Sequence, residues 1–386
     1  MTSNRLAASV LSALLATAGA SGLVPGQDTS SVRDTVEPTS RGSIRGAIEA
    51  TALMSAARAA HTATALPDGR VLVVGGFVEK GSVRGAEAYT AGVGRFSALP
   101  PMVTTRHSHT ATMLPGGKVL IAGGYGEGAT TLASAELFDP ATNTFASTGS
   151  LGSARADHVA VLLEDGAVLI AGGLGPDWAF LSSAELYHPA TGRFSPTGGM
   201  TVARESHTAV RLQDGRVLVA GGHVGRRAAM RLHPSAETYD PATAAFTRVG
   251  DMRIRRHKHD AVRLANGQVL ITGGSDERDS DGLYDSSELF DPATGTFTIG
   301  SSMRLPRYKH AGSSIVLASG LVLIAGGAPQ AETYDPVRRL FAIVPGDVRL
   351  AGRFSAVARL GTGGALITGG YGERLGPQSS AWIYRP

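Results

Sequence analysis

Cysteine is absent from all 386 residues of the chain. Its absence excludes a disulfide framework, a thiolate nucleophile and any zinc site with sulfur ligands. Charge of one sign is also scarce. The formal net charge of +4 is too small for a dedicated nucleic-acid surface, and no basic run carries interleaved aromatics, so nucleic acid is not an expected partner. A Gly-x-Ser-x-Gly elbow, a His-Glu-x-x-His pair and a phosphate-binding loop are all missing, which removes the best-marked hydrolase and nucleotide chemistries. Beyond the first twenty residues no apolar run is long enough to cross a bilayer.

Glycine, in contrast, is abundant, with 51 copies. It recurs as a pair closing an apolar run at Gly75-Gly76, Gly123-Gly124, Gly172-Gly173, Gly221-Gly222, Gly273-Gly274, Gly326-Gly327 and Gly369-Gly370. The period is roughly 50 residues. Each unit parses into four strands. An Arg-x-x-His step (Arg106 to His109, Arg204 to His207) opens the first, and a two-residue turn such as Asp68-Gly69 or Asn266-Gly267 leads to the second. That second strand is a continuous aliphatic run, as expected of a strand buried on both faces. After the glycine pair and a variable loop comes a third strand such as Ala135 to Pro140, and its aromatic is followed seven residues later by that of the fourth (Tyr89 to Phe96, Phe138 to Phe145, Tyr187 to Phe194).

These residues resemble the kelch-repeat family, of the exported bacterial type, over essentially the whole mature chain. The resemblance implies an all-β, seven-bladed propeller with four antiparallel strands per blade. That family includes galactose oxidase, whose copper site uses a Cys crosslinked to a Tyr. Without Cys the likeness extends to fold only, and no Cys-Tyr copper cofactor is expected.

The seventh unit stops after its third strand, Trp382-Ile383-Tyr384. Its missing fourth strand is expected from Ser43 to Leu53, with Ile48 in the aromatic position, because closure by both termini removes a sheet edge. Arg5 and the apolar stretch Leu6 to Ala18 fit a cleavable secretory signal over residues 1–20. Residues 21–43 are expected to be a flexible lead, 44–386 the propeller, and the protein an exported monomer, periplasmic or extracellular.

Six units carry the opening His (His61, His109, His158, His207, His259, His310) and six carry a Glu on the third strand (Glu87, Glu136, Glu185, Glu237, Glu288, Glu332). The seventh has Ala356 and Trp382 there and keeps Arg353. Their joint loss points to a His–Glu interaction over the glycine pair, with Arg holding the blade edge.

Function is expected where the repeats differ. The residues after each opening Arg should line the channel rim on the loop-rich face: Ala59-Ala60, His107-Ser108, Ala156-Asp157, Glu205-Ser206, His257-Lys258, Tyr308-Lys309 and Phe354-Ser355. Loops after the glycine pairs add Tyr125, Trp178, His223, Arg226 and Tyr371. Candidate ligand contacts are therefore Trp178, Glu205, Arg226, Lys258, Lys309, His107 and Tyr125, in a cationic, aromatic-edged concavity suited to an anionic sugar, a carboxylate or an acidic peptide. The main expectation is a scaffold binding a carbohydrate or protein ligand. The alternative is a carbohydrate-active enzyme, a uronate-type lyase or sugar epimerase, with His257, Tyr308 or His223 moving a proton while Lys258, Lys309 or Arg226 stabilises an enolate. Glu277, Asp279, Asp281, Asp285 and Glu288 follow the spacing of a calcium loop, with Gly282 at its turn, but Glu stands at the first position and no flanking helices are expected.

Overall fold

The computed structural model describes residues 46–79, 81–346, 352–372 and 376–386. The expected secretory leader over residues 1–20 and the expected lead segment over 21–43 fall outside the described residues. Each repeat forms a four-stranded antiparallel sheet, and seven such sheets occur among the described residues. In blade two the strands, labelled a to d outward from the channel, are Thr110–Met113, Val119–Ala122, Ala135–Asp139 and Thr144–Ser147. The aliphatic b strand explains the architecture. Its alternate side chains serve opposite faces: Val119 and Ile121 pack with Leu72 and Val74 of blade one, while Leu120 and Ala122 pack with Val168 and Ile170 of blade three. The hydrophobic core is thus seven inter-blade cores rather than one centre.

Blade seven closes as its truncated repeat requires. Strand Ala47–Ala50 pairs antiparallel with Ala381–Arg385, placing Ile48 opposite Tyr384, the register that Tyr89 and Phe96 adopt in blade one. Ile48 is buried with Trp382 and Tyr384.

The repeated polar residues pair differently from the expected His–Glu contact. The Glu belongs to the Arg. In blade two, Arg106 Nη1 donates to the carbonyls of Gly123 at 2.7 Å and Ser134 at 3.1 Å, and Nη2 donates to Glu136 at 2.8 Å. The second Glu136 oxygen accepts the Val103 backbone N–H at 2.7 Å, tying down the incoming connection. Both side chains are buried, and the same pair recurs as Arg58–Glu87, Arg155–Glu185, Arg204–Glu237, Arg256–Glu288 and Arg307–Glu332.

The His instead reaches into the preceding blade. His158 Nε2 hydrogen-bonds Thr110 at 3.0 Å, and its ring carbon lies 2.7 Å from where a Cβ on Gly123 would stand. The first glycine of six pairs therefore combines a left-handed backbone (φ +62 at Gly123) with a neighbour's imidazole in its side-chain space, while Gly326, facing blade seven, meets Ser313 and Ser355 instead.

Blade seven lacks the whole arrangement. The Arg precedes the first glycine by 17 residues in blades one to five, and the same count back from Gly369 reaches Gly352. Arg353 is therefore not the seventh clamp; it occupies the following position, bridged to Tyr371 as Ala59 is to Phe77.

Two outcomes follow for stability. Glu136→Ala strands a buried guanidinium and is expected to cost about 3–5 kcal/mol in urea unfolding, against under ~1 kcal/mol for Lys118→Ala, which removes an exposed pair with Asp139. Burial, then the nearby Arg, holds His61, His158 and His310 down to about 3 from 6.5. Between those values the unfolded chain binds protons that the fold refuses, so stability rises with pH across that window. The melting midpoint is expected to be lower at pH 5 than at pH 7, and an unchanged midpoint would refute the neutral-imidazole assignment.

Candidate active site on the loop face

One residue per blade, two after the clamp position, lines the axis: Ala60, Ser108, Asp157, Ser206, Lys258, Lys309 and Phe354. All have φ between 50 and 57, a conformation uncommon outside glycine. Backbone hydrogen bonds hold them there, each N–H donating to the carbonyl of the preceding blade: Ser108 to Ala60, Asp157 to Ser108, Lys258 to Ser206, Lys309 to Lys258, Phe354 to Lys309 and Ala60 to Phe354. Only the step from Ser206 to Asp157 does not reach hydrogen-bond geometry. This backbone circlet carries the chemistry on its side chains.

The residues one position earlier are not on an open rim. Six of the seven bridge back to the residue after their own glycine pair, as Glu205 does to His223 and His257 to Ser275; Tyr308 does not. His257 and Tyr308 are both fully buried, so His257 is part of the packed site rather than a solvated loop side chain.

Three residues converge most closely. His223 Nδ1 and His257 Nδ1 are 3.1 Å apart, and His223 Nε2 lies 3.5 Å from a Glu205 oxygen. Phe180 packs edge-on against His223 at 5.6 Å. Burial is the main cause that lowers both imidazoles, His223 to about 3 with help from Lys258 and Arg226, His257 to about 2 with help from Lys258 and His223. Both rings are therefore neutral at pH 7. Burial and then Asp157 push the Glu205 carboxyl up to about 7, against the pull of Lys258 and Arg226. Asp157 is itself raised by burial while Ser108 and Tyr125 hydrogen-bond it.

Neutral rings in line can hold only two proton patterns. With Glu205 ionised, a His223 Nε2–H faces the carboxylate at 3.5 Å, beyond hydrogen-bond geometry, and Nδ1 accepts from His257, which leaves His257 Nε2 as a lone pair. With Glu205 protonated, every proton moves one step and His257 Nε2 carries the N–H. That nitrogen is buried and makes no hydrogen bond of ordinary geometry, while the Asp276 backbone lies against the ring and favours its protonated form.

Cationic groups surround this line. Lys258 Nζ meets Asp279 at 2.7 Å. Lys309 is buried between the Tyr308 ring at 5.1 Å and the Phe354 ring at 5.3 Å, and burial, then Lys258, lowers its amine to about 7. Arg353 stands over the other partner of Lys309, the Tyr308 ring, at 4.6 Å. Tyr308 is raised to about 12 by burial, with Arg353 opposing. The opposite side is aromatic. Phe77, His107, Tyr125 and Trp178 form a chain of ring contacts at 5.4, 5.1 and 6.2 Å, and Arg226 lies over the Trp178 ring at 3.8 Å. His107 belongs to this wall, its imidazole lowered to about 4 by burial. Burial also raises Tyr125.

The structure thus brings together His223, His257, Tyr308, Glu205, Lys258, Lys309, Arg226, Tyr125, His107 and Trp178. Asp157, Phe180 and Arg353 join them. The expected calcium loop does not assemble. Asp279 is taken by Lys258, Glu277 pairs with Arg255 at 3.0 Å, and Glu288 is buried in the clamp of Arg256; Asp281 ends a short turn, Asp279–Asp281, and Asp285 offers its backbone carbonyl to Met303. Among the described residues no group of three or more His, Asp or Glu is placed to hold a metal ion.

A family model described as the Kelch motif matches residues 106–152, the span of one repeat. No curated protein matches the sequence. Among solved structures, one described as a novel fungal alcohol oxidase with catalytic diversity among the AA5 family, in complex with copper, superposes with a TM-score of 0.68 at 14% identity. The match covers 88% of this chain and 75% of that one. The fold is a kelch/galactose-oxidase-like propeller. Its likeness stops at architecture, since a Cys-Tyr copper cofactor needs a cysteine that the chain lacks. Among the described residues no helix is long and apolar enough to cross a membrane.

The relay makes one titration measurable. Glu205, observed by its carboxyl stretch or carbon-13 shift against Glu205→Gln, is expected to titrate near 7. Lys258→Met removes a cation that favours the carboxylate and is expected to raise the midpoint further; a midpoint in the ordinary carboxylate range would refute the buried relay.

Proposed function

We propose that the chain is a carbohydrate-active propeller enzyme, a uronate-type lyase or sugar epimerase that moves a proton at the carbon α to a carboxylate. The supporting observation is the Glu205–His223–His257 line, in which the two imidazoles meet Nδ1 to Nδ1 at 3.1 Å beside the Glu205 carboxyl. An imidazole this resistant to charging is a poor terminal base by itself. Coupled through His223 to a carboxyl poised near 7, it accepts a substrate proton at Nε2 and releases another from Nδ1, so the charge change settles on Glu205. Lys258 and Arg226 hold the substrate carboxylate and the enolate charge that develops on it. Trp178 and Tyr125 provide faces for the sugar ring. Tyr308, neutral at pH 7, stands beside the cationic side as a proton donor. With the leader at its N-terminus, the enzyme would act on polymers outside the cytoplasm.

One observation favours the scaffold reading as well. Trp178 is 38% exposed with Arg226 stacked on it, a platform that would retain an acidic sugar without chemistry.

Incubation with polygalacturonate, alginate or glucuronan is expected to generate an ultraviolet-absorbing unsaturated product with one of them, or deuterium uptake at the α carbon without elimination. His257→Gln and Glu205→Gln are expected to lower kcat by about 10²-fold or more with little change in KM, and Trp178→Ala to raise KM. Binding of acidic sugars by the wild type with neither product nor exchange would establish the scaffold reading instead.

A further inference from the structure

Four lysines occur in the chain: Lys80, Lys118, Lys258 and Lys309. Two of them have carboxylate partners, Lys118 with Asp139 at 3.1 Å and Lys258 with Asp279 at 2.7 Å. Lys309 differs from both. It is 7% exposed, and no carboxylate lies within ion-pair distance of its Nζ among the described residues. Its amine sits against the Tyr308 and Phe354 rings.

Its surroundings favour the free amine. The charged and titratable groups facing it are Lys258 and Arg353, which oppose a further positive charge, and Asp279 and Asp157, which favour one; Tyr308 is held neutral. Asp279 is already engaged by Lys258. A lysine that is desolvated and next to another cation is the arrangement that makes an amine nucleophilic at neutral pH. The backbone fixes its place, because Lys309 is one of the left-handed circlet residues, hydrogen-bonded from its N–H to Lys258 and through its carbonyl to Phe354.

Arg353 supplies the second half of a binding site. Gly352 takes the clamp position in blade seven, so Arg353 is released from the structural pairing that consumes the guanidinium of the other six blades and instead shares the Tyr308 ring with Lys309. An amine and a guanidinium on one aromatic ring match a carbonyl carbon next to a carboxylate.

We infer that Lys309 is a covalent nucleophile that captures a small carbonyl compound carrying a carboxylate, with Arg353 receiving the carboxylate. The uncharged amine attacks the carbonyl carbon, a C–N bond forms, and the carbonyl oxygen takes a proton to give a carbinolamine. Loss of that hydroxyl as water, with the second nitrogen proton, leaves an imine. Atoms balance without an oxidant or a reductant. The inference does not depend on the lyase or epimerase reading, since it concerns a different nucleophile and needs no sugar.

Pyruvate is the probe. Full-length wild-type protein is incubated with pyruvate at pH 7.5, reduced with borohydride, digested and mapped by mass spectrometry. The expected result is a stable adduct on Lys309 in at least about tenfold excess over Lys118, whose amine is exposed and paired with Asp139. Lys309→Arg is expected to abolish the adduct, and Arg353→Gln to slow capture of pyruvate while leaving capture of acetone unchanged. Because mapping is done on the wild type, a variant that misfolds does not decide the outcome. Equal labelling of Lys309 and Lys118, no labelling of Lys309, or equal loss of pyruvate and acetone capture in Arg353→Gln would overturn the inference. Retained lyase or exchange activity in Lys309→Arg, with loss of the adduct, would leave the proton-transfer reading standing, whereas an adduct in a protein without such activity would separate the two the other way.

Discussion

The constraint on which the rest depends is steric. At six of the seven junctions an imidazole from one blade lies where its neighbour's first paired glycine would carry a Cβ, so a side chain there would have to displace the ring. That contact sets the spacing between blades and keeps the ring neutral. It also brings the backbone of the next clamp Arg within reach of the glycine pair: Gly76, beside Gly75, donates its N–H to the Arg106 carbonyl of blade two. Blades are thus fastened by a repeated side chain in a repeated void, and the axial circlet of backbone hydrogen bonds is a result of that spacing.

Because the fastening is so regular, each interruption is informative. Blade seven gives up Arg, His and Glu together, carrying Gly352, Ser355 and Trp382 in their places. What remains is a blade held by apolar packing of Ile48, Trp382 and Tyr384 and by strand pairing with the N-terminal segment. The release of Arg353 into the site follows from this loss. Structural relaxation at one blade and functional charge at the axis are the same event.

Strand order, blade number and ring closure were legible in the sequence, because the glycine pairs, hairpin turns and aromatic spacings are local patterns repeated many times. The partner of each Glu was not. Joint loss of His and Glu in the last repeat was a true signal, but it marked the loss of a three-residue device, of which Arg is the member that touches Glu. Arg353 was misread because it resembles the clamp residue one position early; the constant count of 17 to the glycine pair was the available corrective. The residues after each opening Arg were expected on an open rim, and the burial of His257 and Tyr308 was hidden from the sequence. Contact between His223 and His257 joins two blades across 34 residues, and no spacing rule reports which nitrogen faces which. The acidic run from Glu277 to Glu288 keeps a calcium-like spacing in the sequence alone, since Asp279, Glu277 and Glu288 pair with Lys258, Arg255 and Arg256.

The pairing of Ala47–Ala50 with Ala381–Arg385 also sets the order in which the molecule can be completed. Residue 48 has no strand to join until residue 384 exists, so during synthesis six blades can assemble progressively while the first strand of the domain waits. A repeat array of this kind would otherwise accrue stability blade by blade. Here strand Ala381–Arg385 acts as a latch: without it blade seven lacks its third strand, strand Ala47–Ala50 has no partner, and two neighbours stay uncovered on one side.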